Sequence, residues 1–106
     1  MIDIEAIRKD PNNQNWYLIS SDKDLSEDFI KEFQDKVFWF YICFYQILSE
    51  DFIREFQDKV DWASISFKQE LSEDFIREFQ NRISFGNLIY NSKISNEVKE
   101  FCKMFL

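Results

Sequence analysis

An internal repeat with a period of 23 residues is the feature that most constrains how this chain can fold. Three consecutive segments, residues 25–47, 48–70 and 71–93, each begin with the pattern Leu-Ser-Glu-Asp-Phe-Ile-Lys/Arg-Glu-Phe-Gln, and no gap separates them. Such a repeat is typical of a solenoid, in which one unit cannot bury its apolar side alone. It therefore predicts a stack of similar units with a continuous core.

Weaker copies of the pattern extend the repeat towards both ends of the chain. Trp16 lies one period before Trp39, which lies one period before Trp62. At the other end, Ser95 lies one period after Ser72. We therefore interpret residues 1–106 as a single helical-repeat domain, with a degenerate unit 1–24, the three full units, and a C-terminal capping helix 94–106.

The first half of each unit has the signals of an amphipathic helix. In the second full unit, Ser49 is a good helix N-cap. Glu50 and Asp51 follow in the first turn, where carboxylates favour the positive end of the helix dipole. The residues at helical spacing that we expect to form its buried stripe are Phe52, Ile53, Phe56 and Val60.

Charge pairs and a second cap complete the two-helix interpretation of a unit. Glu50–Arg54 and Glu55–Lys59 are i,i+4 pairs in the favourable order, so we expect both to stabilise the first helix. Asp61 can cap a second helix. The side chains that this second helix should contribute to the core are Trp62, Ile65 and Phe67.

The predicted fold is all-α: a short α-solenoid of about four helix-turn-helix units plus a capping helix. One Gly and one Pro suit helices with short connections better than a sheet with many tight turns. Ala6 and Asp10 stand where later units have Phe29 and Phe33, so we expect the opening stretch of the first unit to be poorly formed. Residues 11–13 should interrupt that stretch.

The composition argues against most catalytic chemistry and against polyanionic partners. The chain has no His, which excludes Ser-His and Cys-His pairs and His-containing metal sites. A single Gly excludes a Gly-rich phosphate loop. A net charge of −7 disfavours nucleic acid and anionic membranes. We therefore expect a protein that is not an enzyme and that needs no metal or cofactor.

The longest apolar run covers only residues 37–45, whereas a membrane span needs about 20 residues. The charged N-terminus has no apolar signal segment, so we expect a cytoplasmic protein with reduced cysteines. Cys43 aligns with Ser20 and Ser66, and Cys102 aligns with a core Phe position. Both thiols are interpreted as buried side chains, with a disulfide as the other alternative.

The second helix of the unit 25–47 is apolar nearly all round, unlike its counterparts. Phe40, for example, aligns with Ala63 and Gly86. A helix of this kind is either covered by its own protein or part of an interface. Two hypotheses follow: the degenerate first unit covers these side chains, or they contact a partner. The candidate partner-binding residues are Phe38, Phe40, Tyr41, Tyr45 and Ile47.

A second candidate surface is an acidic ladder that recurs once per unit. Carboxylates repeated in register are most simply helix-capping or solvated groups. If they bind a partner, a basic surface is the complement. The residues of the acidic ladder are Glu27, Asp28, Glu50, Asp51, Glu73 and Asp74.

The segment Leu48 to Trp62, LSEDFIREFQDKVDW, resembles repeats in uncharacterised proteins of giant DNA viruses, phages and some bacteria. The resemblance is strong over residues 25–93 and weak at the ends, and it implies no activity by itself. Its occurrence in mobile elements implies a small inhibitor of a host defence system, such as an anti-CRISPR protein. In that case the acidic ladder could occupy a nuclease channel built for phosphates.

The sequence thus predicts a non-enzymatic protein-protein interaction module, with an inhibitor of a CRISPR-type nuclease complex as a special case. The partner would be another protein, and direct nucleic-acid or membrane binding is not expected. The alternative is a structural scaffold that self-associates through the aromatic second helix. The two hypotheses differ in whether the pure protein forms oligomers.

Overall fold

The chain folds as an elongated stack of short helices. The computed structural model describes residues 2–22 and 25–105, so Asp24, which the repeat aligns with Ile47, lies outside the described residues. Within those ranges there are helices and turns but no strands. The stack measures 49 × 21 × 17 Å, and its radius of gyration of 15.1 Å exceeds the roughly 13 Å of a compact domain of this length. The prediction of an all-α solenoid is confirmed.

Helices that open a unit alternate with helices that close it. The odd-numbered helices α1 to α7 open successive units, the even-numbered helices close them, and α9 follows the last pair. In chain order they are α1 (Ile4–Lys9), α2 (Trp16–Ser20), α3 (Glu27–Glu32), α4 (Trp39–Tyr45), α5 (Glu50–Glu55), α6 (Trp62–Lys68), α7 (Glu73–Glu78), α8 (Phe85–Leu88) and α9 (Asn96–Cys102), with 3₁₀ turns at Pro11–Asn13 and Lys103–Phe105.

Side-chain caps determine where most of these helices begin. Ser49 Oγ accepts a hydrogen bond from the Phe52 N–H at 3.1 Å, and Asp61 Oδ2 accepts one from the Ser64 N–H at 3.1 Å. These bonds satisfy N–H groups that have no partner inside the helix. The same serine cap recurs at Ser26, Ser72 and Ser95.

The first helix of a unit is shorter than its apolar stripe suggests. Helix α5 ends at Glu55, Phe56 is its C-cap, and a turn follows. The predicted pair Glu55–Lys59 is therefore wrong, because the helix has ended before Lys59. Glu55 instead binds Lys31 of the preceding unit at 3.1 Å, and Lys59 binds Asp35 at 3.0 Å.

The opening stretch of the first unit is helical, so the expectation that it is poorly formed was wrong. Asp3 caps α1 by accepting a hydrogen bond from the Ala6 N–H at 3.1 Å. The Arg8 guanidinium donates to both carboxylate oxygens of Glu32, at 2.7 and 2.9 Å. Ile7 is buried, with 4% of its surface exposed. A cap and an ion pair to the next unit thus support α1 although the repeated Phe residues are missing.

In each of the first three units, the Trp packs on two Phe residues of the next unit. The Trp39 ring lies 6.2 Å from the Phe52 ring and 5.4 Å from the Phe56 ring. Its indole Nε1 donates to the Gln34 carbonyl at 3.1 Å, which fixes the ring against its own unit. The same arrangement holds for Trp16 with Phe29 and Phe33, and for Trp62 with Phe75 and Phe79.

A buried amide also links each unit to the one before it. Gln69 is 1% exposed, and its Nε2 donates to the carbonyls of Cys43 and Gln46 at 2.9 and 2.7 Å. Its Oε1 accepts from the Leu48 N–H at 3.0 Å. One side chain thereby satisfies three buried backbone groups between units. Gln46 likewise donates to the carbonyls of Ser20 and Asp22 in the preceding unit. Asn91 donates in the same way to the carbonyls of Ser66 and Gln69.

Exposed ion pairs connect neighbouring units at an offset of 24 residues. Arg54 binds Glu78 at 2.9 Å, and Arg82 binds Asp58 at 2.9 Å. Exposed pairs of this kind contribute about 0–1 kcal/mol each, so their main effect is to favour one register of stacking. Arg77, in the last full unit, instead lies over the Phe101 ring of α9, 4.1 Å from its centroid.

Candidate protein-binding surface

The helices that open units and the helices that close them differ sharply in charge. Helices α1, α3, α5 and α7 carry 15 charged residues among 24. Helices α2, α4, α6 and α8 carry one, Lys68, among 23. A chain with a net charge of −7 thus has a set of four helices that contains no carboxylate.

Seven aromatic side chains form one connected cluster on α2, α4, the α4 N-cap and α6, and we call this cluster the aromatic face. Phe40 lies 5.5 Å from Tyr41 and 5.9 Å from Phe44, measured between ring centroids. Tyr41 and Tyr45 stack at 6.2 Å. The members of the aromatic face are Tyr17, Phe38, Phe40, Tyr41, Phe44, Tyr45 and Phe67.

Four of the five candidate partner-binding residues are exposed. Phe40 is 54% exposed, Ile47 is 85% exposed, and Phe38 and Tyr45 are also exposed. Tyr41 is half-buried. These side chains are therefore accessible to a partner, and the prediction that a partner contacts them stays a prediction.

The degenerate first unit covers only one end of the aromatic face. The Tyr17 ring stacks on the Phe38 ring at 4.0 Å and meets the Tyr41 ring edge-on at 5.7 Å. Tyr17 itself is 57% exposed, and it has no ring contact with Phe40 or Tyr45. The covering hypothesis thus holds for Phe38 and Tyr41 and not for the rest of the helix.

Phe67 belongs to the aromatic face and not to the core, so its predicted core position was wrong. It is 39% exposed, and its ring lies 6.4 Å from Phe44. Its repeat position is aromatic in all three full units, with Phe44 before it and Tyr90 after it. Tyr90 is 73% exposed. An aromatic residue at the same place in every full unit can therefore point outwards, which the comparison of units did not anticipate.

A shallow groove runs between α4 and α6 on this face. Small side chains on α6, Ala63 and Ser64, face the large rings of Phe40 and Phe44, and this difference in size leaves a space of about 270 Å³. Phe67 and Asn87 complete its lining. Because the lining is mainly apolar and carries no charge, the groove suits an apolar side chain of a partner.

Two of the three glutamates of the acidic ladder link neighbouring units of the stack. Glu27 accepts hydrogen bonds from the N–H and the hydroxyl of Ser49, at 2.7 and 3.0 Å. Glu50 accepts the same pair from Ser72, at 2.7 and 3.1 Å. Glu73 instead binds Arg77 within α7 at 3.2 Å. Glu27 and Glu50 thus satisfy the N-cap residue of the following unit, which accounts for their repetition.

The aspartates of the ladder are exposed on the charged helices. Asp28, Asp51 and Asp74 are all exposed, and the Asp51 carboxylate lies 2.9 Å from Arg54 in the same helix. Together with the exposed Glu73, they are the ladder members accessible to a basic surface. Binding of a basic partner there stays a prediction.

Both cysteines are buried free thiols. Cys43 Sγ accepts a hydrogen bond from the Asp61 N–H at 3.3 Å, as Ser66 Oγ does from the Ser84 N–H at 2.9 Å. Burial raises the pKa of the Cys43 thiol to about 12 and also raises the pKa of Cys102. The thiol at position 43 therefore takes the structural role of the hydroxyl that other units use.

No group of three or more acidic or Cys side chains within residues 2–22 and 25–105 is arranged to hold a metal ion. In the described part of the chain, none of the helices has the length and apolarity that crossing a bilayer requires. No protein family, curated protein sequence or solved structure matches this chain.

Proposed function

We propose that this chain is a non-enzymatic protein-binding module that contacts a foreign partner through the aromatic face. The observation that carries the proposal is the exposure of a connected aromatic cluster on the helices that lack carboxylates. Phe and Tyr are enriched at interface centres, whereas acidic residues are depleted there. Large exposed apolar patches commonly mark interaction sites.

The dimensions of the stack suit a standard protein interface. A side of 49 × 21 Å offers about 1,000 Å² in outline. A stable complex typically buries about 800 Å² on each partner. The aromatic face occupies the part of this side formed by α2, α4 and α6, so a partner that also contacts its rim reaches the required area.

Hydrogen bonds and ring stacking position the aromatic face in the free chain. Ser20 Oγ accepts from the Phe38 N–H at 2.9 Å, and the buried Gln46 amide donates to the Ser20 carbonyl at 3.1 Å. These bonds fix α2 against α4, and Tyr17 stacks on Phe38 across the same junction. A preorganised surface loses less conformational entropy on binding, which favours affinity.

The chemistry available at the surface supports a binding role over catalysis. The chain has no His. With a pKa of about 12, the buried Cys43 thiol supplies no thiolate at neutral pH. The ladder glutamates Glu27 and Glu50 are engaged with serines of the next unit. The accessible groups are therefore better suited to binding a partner than to catalysing a reaction.

Site-specific photo-cross-linking tests the proposal directly. Phe40 is replaced by benzoylphenylalanine in the cells where the protein naturally occurs, and Asp51 on α5 is replaced in the same way as the matched control. Asp51 is suitable because its side chain is 95% exposed and lies on a charged helix. We expect a covalent adduct with one foreign protein at position 40 and none at position 51.

The other outcomes separate the alternatives. Adducts at position 51 alone would overturn the proposal and would support binding through the acidic ladder, as expected for an inhibitor of a nuclease with a basic channel. Adducts at position 40 that contain only a second copy of this chain would overturn the proposal that the partner is a foreign protein. They would support the self-associating scaffold.

A further inference from the structure

A second depression lies where α4 and α6 end, next to the aromatic face, and its lining is positively charged. Phe44, Tyr45, Phe67, Lys68 and Lys93 line it, and no carboxylate contributes to the lining. In a chain with a net charge of −7, Lys68 and Lys93 are the charged side chains of this lining. We call this depression the lysine corner.

The ammonium group of Lys68 is positioned by the aromatic rings. Its Nζ lies 4.6 Å from the Phe44 centroid and 5.9 Å from the Phe67 centroid. Such cation-π contacts attract the cation but leave its N–H donors without an acceptor. Lys31, Arg54 and Lys59 by contrast each bind a carboxylate of a neighbouring unit. Within the described residues, no carboxylate lies within ion-pair distance of Lys68 or Lys93.

We infer that the partner docks an apolar segment that carries a carboxylate, with its apolar side chain in the groove beside Phe40 and its carboxylate at the lysine corner. The inference rests on the proposed function and adds the chemistry of the partner to it. The groove and the lysine corner share Phe44 and Phe67, so one short segment can reach both. Ammonium groups that lack a partner in the free chain gain one on binding.

A second copy of this chain is a poorer occupant than a foreign acidic segment. A two-fold dimer through the aromatic face would bring together copies of α2, α4, α6 and α8, which contain no carboxylate. The lysines of both copies would then meet no carboxylate on these helices. Nucleic acid is also disfavoured, because a polyanion would be repelled by the net charge of −7 while meeting only two lysines.

A random linear peptide library displayed on phage is the probe that tests the inference. It is selected against the wild type, Lys68→Glu, Phe40→Asp and a control, Lys9→Glu. The control reverses one exposed charge on α1, away from the aromatic face. Circular dichroism of each variant checks that the helices are retained.

We expect the wild type and Lys9→Glu to enrich peptides that combine aromatic or aliphatic residues with Asp or Glu. Lys68→Glu should lose the acidic peptides and favour Lys- or Arg-containing ones. The affinity of a selected acidic peptide should fall about fivefold on Lys68→Glu, the upper range for loss of one exposed ion pair. A higher salt concentration should weaken the binding of the same peptide to the wild type.

Two results overturn the inference and leave the proposed function standing: apolar peptides enriched without any acidic preference, or acidic peptides whose affinity Lys68→Glu does not change. If the selected peptides bind Phe40→Asp as tightly as the wild type, the result counts against the aromatic face as the binding surface. A library that yields no binder to the wild type overturns the inference, whereas the cross-link at position 40 tests the proposed function without peptides.

Discussion

Replacing the buried Gln69 with Leu should destabilise the stack strongly, although Leu is similar in size and more apolar. The Gln69 side chain makes three hydrogen bonds, to the carbonyls of Cys43 and Gln46 and to the N–H of Leu48. All three bonds lie in the buried interior between units. Leu can replace none of them, so three backbone groups would lose their partner at once.

The magnitude follows from the cost of buried polar groups that lack a partner. Each such group costs about 1–3 kcal/mol, and groups that share one side chain are not fully additive. We therefore expect Gln69→Leu to lower the free energy of unfolding by about 3–5 kcal/mol. A domain of 106 residues has a total stability of about 5–15 kcal/mol, so the loss is a large fraction of it.

Chemical unfolding followed by circular dichroism at 222 nm measures this loss. The matched control is Gln80→Leu, which makes the same chemical change at an exposed position. We expect the control to stay within about 0.5 kcal/mol of the wild type. A Gln69→Leu variant within about 1 kcal/mol of the wild type would refute the role assigned to the buried amides.

Three further predictions concern the core, the thiols and the ion pairs. Trp62→Ala should lower the free energy of unfolding by about 3–5 kcal/mol, whereas Phe40→Asp should keep its helicity; a similar loss on Phe40→Asp would place that ring in the core. Cys43, whose pKa is about 12, should not react with Ellman's reagent at pH 8 until denaturant is added, and rapid native labelling would contradict its burial. Arg8 lowers the pKa of Glu32 below its ordinary 4.5, so this pair stabilises the fold above that pH and the effect is lost as pH falls through the folded pKa. The melting temperatures of the wild type and Arg8→Gln should therefore converge on acidification, and a constant difference would contradict the assignment.

The starts of the helices could be predicted from the sequence because they depend on local chemistry. Ser49 and Asp61 cap their helices through residues three positions ahead, a spacing that is visible in a single unit. The ends could not be predicted in the same way. The apolar stripe continues past Glu55 to Phe56 and Val60, but a unit of 23 residues must turn there to fit a second helix.

The contacts between units could not be read from spacing within one unit. Arg54 and Glu78 are 24 residues apart and meet only when the units stack. Gln46 and Gln69 share a repeat position, and a repeated polar residue is ordinarily interpreted as surface. Their burial follows from backbone carbonyls at the end of the preceding unit, which the sequence does not display.

The aromatic face was predictable in part. The sequence identifies Phe40 and Tyr45 because their counterparts in the other full units are small or polar. Phe67 was missed because an apolar residue in every full unit was interpreted as core. The hypothesis that the first unit covers the helix holds only in part, because the ring contacts of Tyr17 reach only Phe38 and Tyr41. How far one short helix covers another depends on packing geometry and not on residue type.

Molar mass in solution tests most directly whether the aromatic face is reserved for a foreign partner. Light scattering on a sizing column would be applied to the wild type and to Phe40→Asp. We predict that both are monomers of 13.0 kDa, because a two-fold contact through the aromatic face would pair helices that contain no carboxylate with the lysines beside them. A wild-type dimer that Phe40→Asp converts to a monomer would contradict the proposal and would show that the aromatic face joins two copies of this chain.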